Sequence, residues 1–120
     1  MGKYIEIDRE AGVATVTFSG PVTYQERIDV MDTLCPQMLE RDIKRLILDF
    51  STAWQSPHQR GTRDDLMHKI MREPALHGCR VAFLNSVDIQ GIPAAPTPNF
   101  EIKRFERRDD AFAWLADDGK

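Results

Sequence analysis

Apolar and polar residues follow one another along this chain with two periods, one typical of strands and one typical of helices. Alternation over Tyr4–Asp8 places Ile5 and Ile7 on one side and predicts a half-exposed edge strand. Val13–Phe18 alternates as well, and the short link between the two segments predicts an antiparallel hairpin. Ser19-Gly20-Pro21 is expected to break the second strand.

Two other segments are apolar without alternation, the centre of Lys44–Ser51 and Val81–Leu84. A strand has this pattern when both of its faces are covered. A short buried helix could have the same pattern, but the short length of the first run and the charges before it favour a strand. We expect these two segments to be adjacent, parallel strands in the interior of the sheet.

Helical spacing begins after Thr23, which forms a capping box with Glu26. The apolar stripe that follows contains Pro36, which predicts a kink or a break because proline lacks the N–H of a helical bond. A second helix is expected to begin after Thr62 and to end at Glu73-Pro74. A last strand and a last helix are predicted at Glu101–Phe105 and Asp109–Ala116, with Trp114 mostly buried.

Strands therefore alternate with helices, which predicts right-handed βαβ units. The predicted fold is a single α/β domain spanning residues 1–120, with a mostly parallel sheet of four or five strands, an N-terminal antiparallel hairpin and helices packed on the sheet.

Two irregular segments stand out, Thr52–Gly61 and Asn85–Asn99, and the second contains Pro93, Pro96 and Pro98. Both follow the carboxyl ends of strands that we expect to be neighbours. Ligands of open parallel sheets bind at that end, because adjacent loops diverge there. The two segments should therefore converge on one binding surface, whose candidate residues are Trp54, Ser56, His58, Arg60, Thr62 and Ile92.

Several of these residues have a second interpretation. His58 and Arg60 precede a helix N-terminus that can hold an anion, but a solvated loop is the favoured interpretation of this pair. Trp54 either anchors its loop on the core or contacts a ligand or partner. Methionines on both predicted helices either fill the core or line a loosely packed apolar cavity.

Composition and charge limit the classes of partner and the cellular locations that we expect for this chain. Hydrophobic residues make up 42% of the 120 residues, and the net charge is −3, which gives no electrostatic reason to expect nucleic-acid binding. The N-terminus lacks the apolar core of a signal peptide and no run is long enough to span a membrane, so we expect a cytoplasmic protein without stable membrane insertion. Cys35 and Cys79 are expected to be buried free thiols in a reducing compartment.

Motifs of catalysis are missing from the sequence. The three histidines, at positions 58, 68 and 77, do not have the spacing of a metal site, and the cysteines add no ligand pattern. The sequence has no nucleophile elbow, glycine-rich phosphate loop or dinucleotide fingerprint. We therefore expect no metal, no cofactor and no enzymatic activity.

Three features together resemble the SpoIIAA-like, or STAS-like, domain family, named after bacterial anti-sigma-factor antagonists. They are Phe18-Ser19-Gly20 before the capped helix, the central Leu46-Ile47-Leu48-Asp49-Phe50-Ser51, and the tail from Phe105 to Leu115, which looks like the end of the stand-alone bacterial members. The resemblance covers nearly the whole chain and implies a βα superhelix.

Regulatory members of that family carry Asp-Ser-Ser-Gly at the start of the helix after the central strand, and a partner kinase phosphorylates one serine. This chain has Ser56-Pro57-His58-Gln59-Arg60-Gly61 there, without an Asp-Ser pair, although Ser56 or Thr62 could accept a phosphate. The usual helix after the fourth strand is replaced by the proline-rich segment.

The sequence thus favours a non-catalytic regulatory or protein-interaction module without the phosphoserine switch. The alternative is a carrier of a small apolar or anionic ligand, and an enzyme of unknown type is the third hypothesis. A homodimer is also expected, from the resemblance and from the half-exposed edge strand.

Overall fold

The computed structural model describes residues 2–93 and 97–117 and has an α/β architecture with one mixed five-stranded sheet. The strands lie in the sheet in the order in which they occur along the chain. The first two are antiparallel and every later pair is parallel. The strands are β1 (Gly2–Asp8), β2 (Val13–Val22), β3 (Arg45–Gln55), β4 (Arg80–Leu84) and β5 (Glu101–Phe105).

The central prediction for the sheet is confirmed. β3 and β4 are adjacent, parallel and interior, with Leu46 opposite Val81 and Leu48 opposite Phe83. β1 is at one edge, and Ile5 and Ile7 pack on the core from there.

Two predicted boundaries are wrong, and they have the same cause. Ser19-Gly20-Pro21 does not break β2, and β3 does not end at Ser51, because the segments Ser19–Val22 and Thr52–Gln55 pair with each other. Between Thr17 and Ser19 the register shifts by one residue, which is a β-bulge on β3. Beyond the bulge these two strands form a ribbon that extends past the end of β4. We call these two paired segments the β2–β3 ribbon.

Three helices connect and follow the strands: α1 (Tyr24–Arg41), α2 (Arg63–Arg72) and α3 (Arg108–Ala116). Thr23 and Thr62 are the N-caps of α1 and α2, as predicted, and each accepts a bond from a backbone N–H at 3.1 Å. Of the kink or break predicted at Pro36, the break is wrong, since α1 continues through it as one helix. Pro36 lies on the exposed side of α1, while the buried Leu34, Cys35 and Met38 fix the helix on the sheet.

The helices cover the two faces of the sheet unequally. α1 and α2 cover one face, where the main core includes Leu34, Phe50 and Leu66. α3 covers part of the other face with Ala111 and Leu115, which meet Ile47, Ala82 and neighbouring residues. Trp114 is only partly buried and contacts Phe105, with ring centroids 5.7 Å apart.

Of the predicted irregular segment 85–99, the described residues 85–93 and 97–99 contain neither helix nor strand. Pro96, one of its three prolines, lies outside the described residues. No helix in the described part of the chain is long and apolar enough to cross a membrane.

Candidate functional site

The two irregular segments meet at the carboxyl end of the sheet. The side-chain oxygen of Gln55, at the end of β3, accepts a bond from the backbone N–H of Gln90 at 3.2 Å. Asn85, just after β4, donates from its amide to Ser51 Oγ at 2.6 Å. The segment after β4 therefore lies against the carboxyl-terminal part of β3, which is the start of the first predicted irregular segment.

A buried arginine, Arg27 of α1, holds the second segment in place. Its side chain is 5% exposed, lies over the ring of Phe50 at 5.5 Å, and donates to the carbonyls of Gln90 at 2.5 Å and Gly91 at 2.9 Å. No carboxylate pairs with it within the described ranges. Burial lowers the pKa of Arg27 to about 10, so it stays charged at neutral pH. Its charge is balanced by carbonyl dipoles and an aromatic face.

A glutamine that the sequence analysis passed over holds the first segment. Gln59 accepts from the backbone N–H of Tyr24 at 2.8 Å and donates to the carbonyl of Ser56 at 2.7 Å. The carbonyl of Arg60 accepts from the backbone N–H of Gln25 at 2.8 Å. Residues 56–61 are thereby tied to the N-terminal turn of α1. Glutamine in a polar loop gives no distinctive sequence signal, which is why this role was missed.

The two hydroxyl residues predicted for the site, Ser56 and Thr62, make hydrogen bonds to nearby backbone groups. Ser56 is buried, and its Oγ accepts from the N–H of His58 and donates to the carbonyl of the same residue, both at 3.1 Å. Thr62 is the N-cap of α2. His58 and Arg60 have exposed side chains.

The predicted common apolar surface of Trp54 and Ile92 is wrong. Trp54 is 53% exposed, whereas Ile92 is only 7% exposed and belongs to the main core. The strand alternates across the ribbon, so Ala53 packs on the α1 side of the sheet and Trp54 projects from the opposite side. Of the six predicted residues, only Trp54 offers a large exposed apolar area.

Two arginines face a cavity of about 280 Å³ between α2 and β5. Arg63 and Arg104 line it together with Ile92 and the backbone around Gln90 and Gly91. Neither guanidinium has a partner in the described part of the chain, and no acidic residue is among those lining the cavity. Such a cavity can hold an anion. Arg63 and Arg104 lie 41 residues apart in sequence (104 − 63), so spacing gave no signal for this pairing.

A polar network on the opposite face of the sheet was also missed. Asp49 accepts from Ser51 N–H at 2.8 Å and from Ser51 Oγ at 2.5 Å, and its other oxygen accepts from Arg108 at 3.3 Å. Asn85, at a left-handed φ of 54°, extends the network to β4. These bonds close the bulge of β3 and fix the start of α3, which accounts for the network by structure alone.

The two cysteine thiols are buried and have raised pKa values, so neither is a reactive thiolate at neutral pH. Cys35 and Cys79 are buried and free. Burial, reinforced by the carboxylate of Glu73, raises the pKa of Cys35 to about 12. Burial likewise raises the pKa of Cys79 to about 11. Within residues 2–93 and 97–117, no three His, Cys, Asp or Glu side chains cluster as a metal site.

Comparison of the chain with protein-family models, with curated proteins and with solved structures finds no match in any of the three. The geometry defines an α/β protein with a mixed sheet, an exposed tryptophan on a projecting ribbon and a cationic cavity at the carboxyl end of the strands. Any function assigned to it has to come from these features.

Proposed function

We propose that this protein is a non-catalytic SpoIIAA-like module of the cytoplasm that acts by binding a protein partner through the carboxyl end of its sheet. The observation that carries the proposal is the exposure of Trp54. A tryptophan that is more than half exposed and is held on a paired ribbon has the features of an interface anchor, a large apolar ring presented by ordered backbone.

Neighbouring features support a contact surface at this end. Val87, in the segment after β4, is 80% exposed and adds apolar area near the strand ends. The ribbon is held at its end by a bond from Ser56 N–H to the carbonyl of Val22 at 2.9 Å, so Trp54 is presented by ordered backbone. A rigid aromatic anchor loses little conformational entropy on binding.

The same geometry argues for binding without the phosphoserine switch. Ser56 is buried with its hydroxyl bonded within its own loop, and the hydroxyl of Thr62 is occupied in capping α2. A kinase would have to open the loop to reach the buried Ser56 hydroxyl, whereas Thr62 is exposed and its hydroxyl is engaged by the backbone N–H of Asp65. The order hairpin, helix, strand, helix, strand is compatible with the βα superhelix that the family resemblance implies.

Recovery of partners by an affinity-tagged full chain, expressed in the cells that naturally produce it, tests this proposal. Trp54→Glu should lose the partner that the wild type recovers, because it replaces the apolar anchor by a charge. Leu39→Glu is the matched control, since Leu39 is 52% exposed but lies on α1. Equal recovery by all three proteins in quantitative mass spectrometry would remove the basis of the proposal.

The second candidate function, a carrier of a small anionic ligand, is favoured by the cavity of Arg63 and Arg104. Native mass spectrometry of the protein purified from its source should then show a retained anion. Arg63→Gln and Arg104→Gln should each lose that mass, and Arg72→Gln, an exposed arginine at the other end of α2, should keep it. The wild type at the mass of the bare chain would speak against a carrier.

A further inference from the structure

The outer edge of β1 is open. Within residues 2–93 and 97–117, β1 pairs with β2 alone, over its whole length from Gly2 opposite Ser19 to Asp8 opposite Val13. The N–H and C=O groups of alternate β1 residues point away from β2 and are therefore available to an additional strand. β1 carries no proline and no bulge that would prevent such pairing.

A groove of about 310 Å³ runs beside this edge, between β1 and the C-terminal half of α1. We call it the β1–α1 groove; its lining residues are Ile5, Ile7, Arg9, Gln37 and Arg41. Alternation along β1 places both isoleucines towards α1, where each is partly buried. The groove thus provides apolar contact at two alternate positions of the strand, Ile5 and Ile7.

The β1–α1 groove is positively charged, since Arg9 and Arg41 line it. Arg9 has no partner in the described part of the chain, and the only polar contact of the Arg41 side chain there is to Gln37 at 3.3 Å. Among the described residues, no acidic side chain lines the groove. Glu40 and Asp42 lie in the neighbouring cavity at the end of α1, which Arg9 and Arg41 also line.

We propose that the β1–α1 groove binds an extended acidic peptide of another protein, which pairs with β1 as a sixth strand. Main-chain bonds to the open edge supply the affinity, and side chains at alternate positions supply the specificity. Apolar side chains of the peptide lie against Ile5 and Ile7, and a carboxylate further along pairs with Arg9 and Arg41. This site lies at the opposite edge of the sheet from β4 and β5, and it is independent of Trp54.

A second copy of this chain fits the same edge less well. Antiparallel pairing of two β1 strands about Ile5 brings Lys3 of one copy opposite Ile7 of the other, beside Arg9 and Arg41. Pairing about Glu6 sets Glu6 against its own copy and Lys3 against Arg9. The second register opposes like charges directly, which is destabilising across strands, and the first brings Lys3 near two arginines. An acidic peptide has the complementary charge.

The test begins with selection of a displayed library of ten-residue peptides on the full chain. The expected enriched sequences alternate apolar and other residues and carry Asp or Glu at one end. For the best synthetic peptide, Arg9→Gln and Arg41→Gln should each weaken binding about tenfold, because each removes a charged hydrogen-bond donor. Arg107→Gln, an exposed arginine at the start of α3 on the other sheet face, should bind like the wild type.

Methylation of single peptide nitrogens tests the strand pairing without changing the protein. Affinity should fall at every second position, because only alternate N–H groups of the peptide face β1. The proposal is overturned by no enrichment, by uniform tolerance of methylation, or by binding to Arg41→Gln that equals binding to the wild type. Sedimentation of the free chain as a dimer with protected β1 amides also overturns it, since a second copy then occupies the edge. Peptide binding that survives Trp54→Glu keeps this site distinct from the ribbon.

Discussion

Helices α1 and α2 cover one face of the sheet, whereas the opposite face carries, in the described part of the chain, the nine-residue helix α3 alone. On the first face, Phe18 and Phe50 stack with centroids 4.8 Å apart, and the ring of Phe83 follows at 6.5 Å. On the second, Ala111 and Leu115 are the buried residues that α3 contributes. The comparison indicates that stability resides on the α1–α2 face and that the exposed area of the other face is free for contacts.

The largest effect should come from the same truncation made on both faces. Leu34→Ala on α1 should cost about 3–5 kcal/mol of the free energy of unfolding, because it leaves a cavity in a layer closed on all sides. Leu115→Ala on α3 should cost about 2–3 kcal/mol, because the thin layer around it can collapse or admit water. Urea unfolding measures both. Equal costs would mean that α3 closes a core as complete as that under α1.

The sequence predicts those parts of the fold that depend on local patterns of apolar residues, and it misses those that depend on contacts between distant residues. The helical stripe of α1 and the unbroken apolar runs of β3 and β4 are local patterns, and they predicted the main face correctly. The β2–β3 ribbon depends on a bulge at Phe50–Ser51, where Asp49 accepts a hydrogen bond from the backbone N–H of Ser51. Such a bulge leaves no periodic pattern in the sequence, so it could not be predicted. Proline and glycine next to each other suggested a break where strand pairing prevailed.

The candidate site divides in the same way. Thr62 as an N-cap follows from a local rule and was predicted, as was the convergence of the two irregular segments. Ile92 was misplaced because nothing local distinguishes a loop isoleucine that is buried from one that is exposed. Arg27 was missed because a single arginine in a helix normally faces water, and only the carbonyls of Gln90 and Gly91 make its burial tolerable.

Arg27 gives the second prediction, since it connects the stable face to the binding end. Arg27→Ala should cost about 2–4 kcal/mol, because it removes a buried side chain and leaves two carbonyls without donors. Amide exchange of Ile89 and Gly91 should accelerate more than that of β4. Arg27→Lys, which keeps the charge but not the two-pronged donor, should fall between this variant and the wild type. Unchanged exchange would show that the segment is held by other contacts.

A third prediction uses the thiols as reporters of the same face. In the unfolded chain both cysteines ionise near pH 9, whereas in the fold their pKa values are raised to about 12 and 11. The native state therefore binds more protons above pH 9, and stability should decrease as the pH rises from 9 to 11. Cys35→Ala should reduce that decrease. Native protein should also resist alkylation at pH 8, and rapid labelling would show that the α1–α2 core opens readily.

The smallest expected change in stability, that of Trp54→Ala, is the most informative about function. It is measured against Phe50→Ala in the same strand. Phe50→Ala should cost about 3–5 kcal/mol, because the ring is 1% exposed and stacks between Phe18 and Phe83. Trp54→Ala, four residues along β3, should change the free energy of unfolding by no more than about 0.5 kcal/mol, because the indole is 53% exposed. Chemical denaturation of both variants, with amide exchange of Thr52–Gln55, gives the comparison. A cost above about 1.5 kcal/mol for Trp54→Ala would mean that the indole anchors the ribbon. If the ribbon keeps its protection without the indole, stability does not account for a tryptophan at this position, and the proposed partner contact keeps its basis.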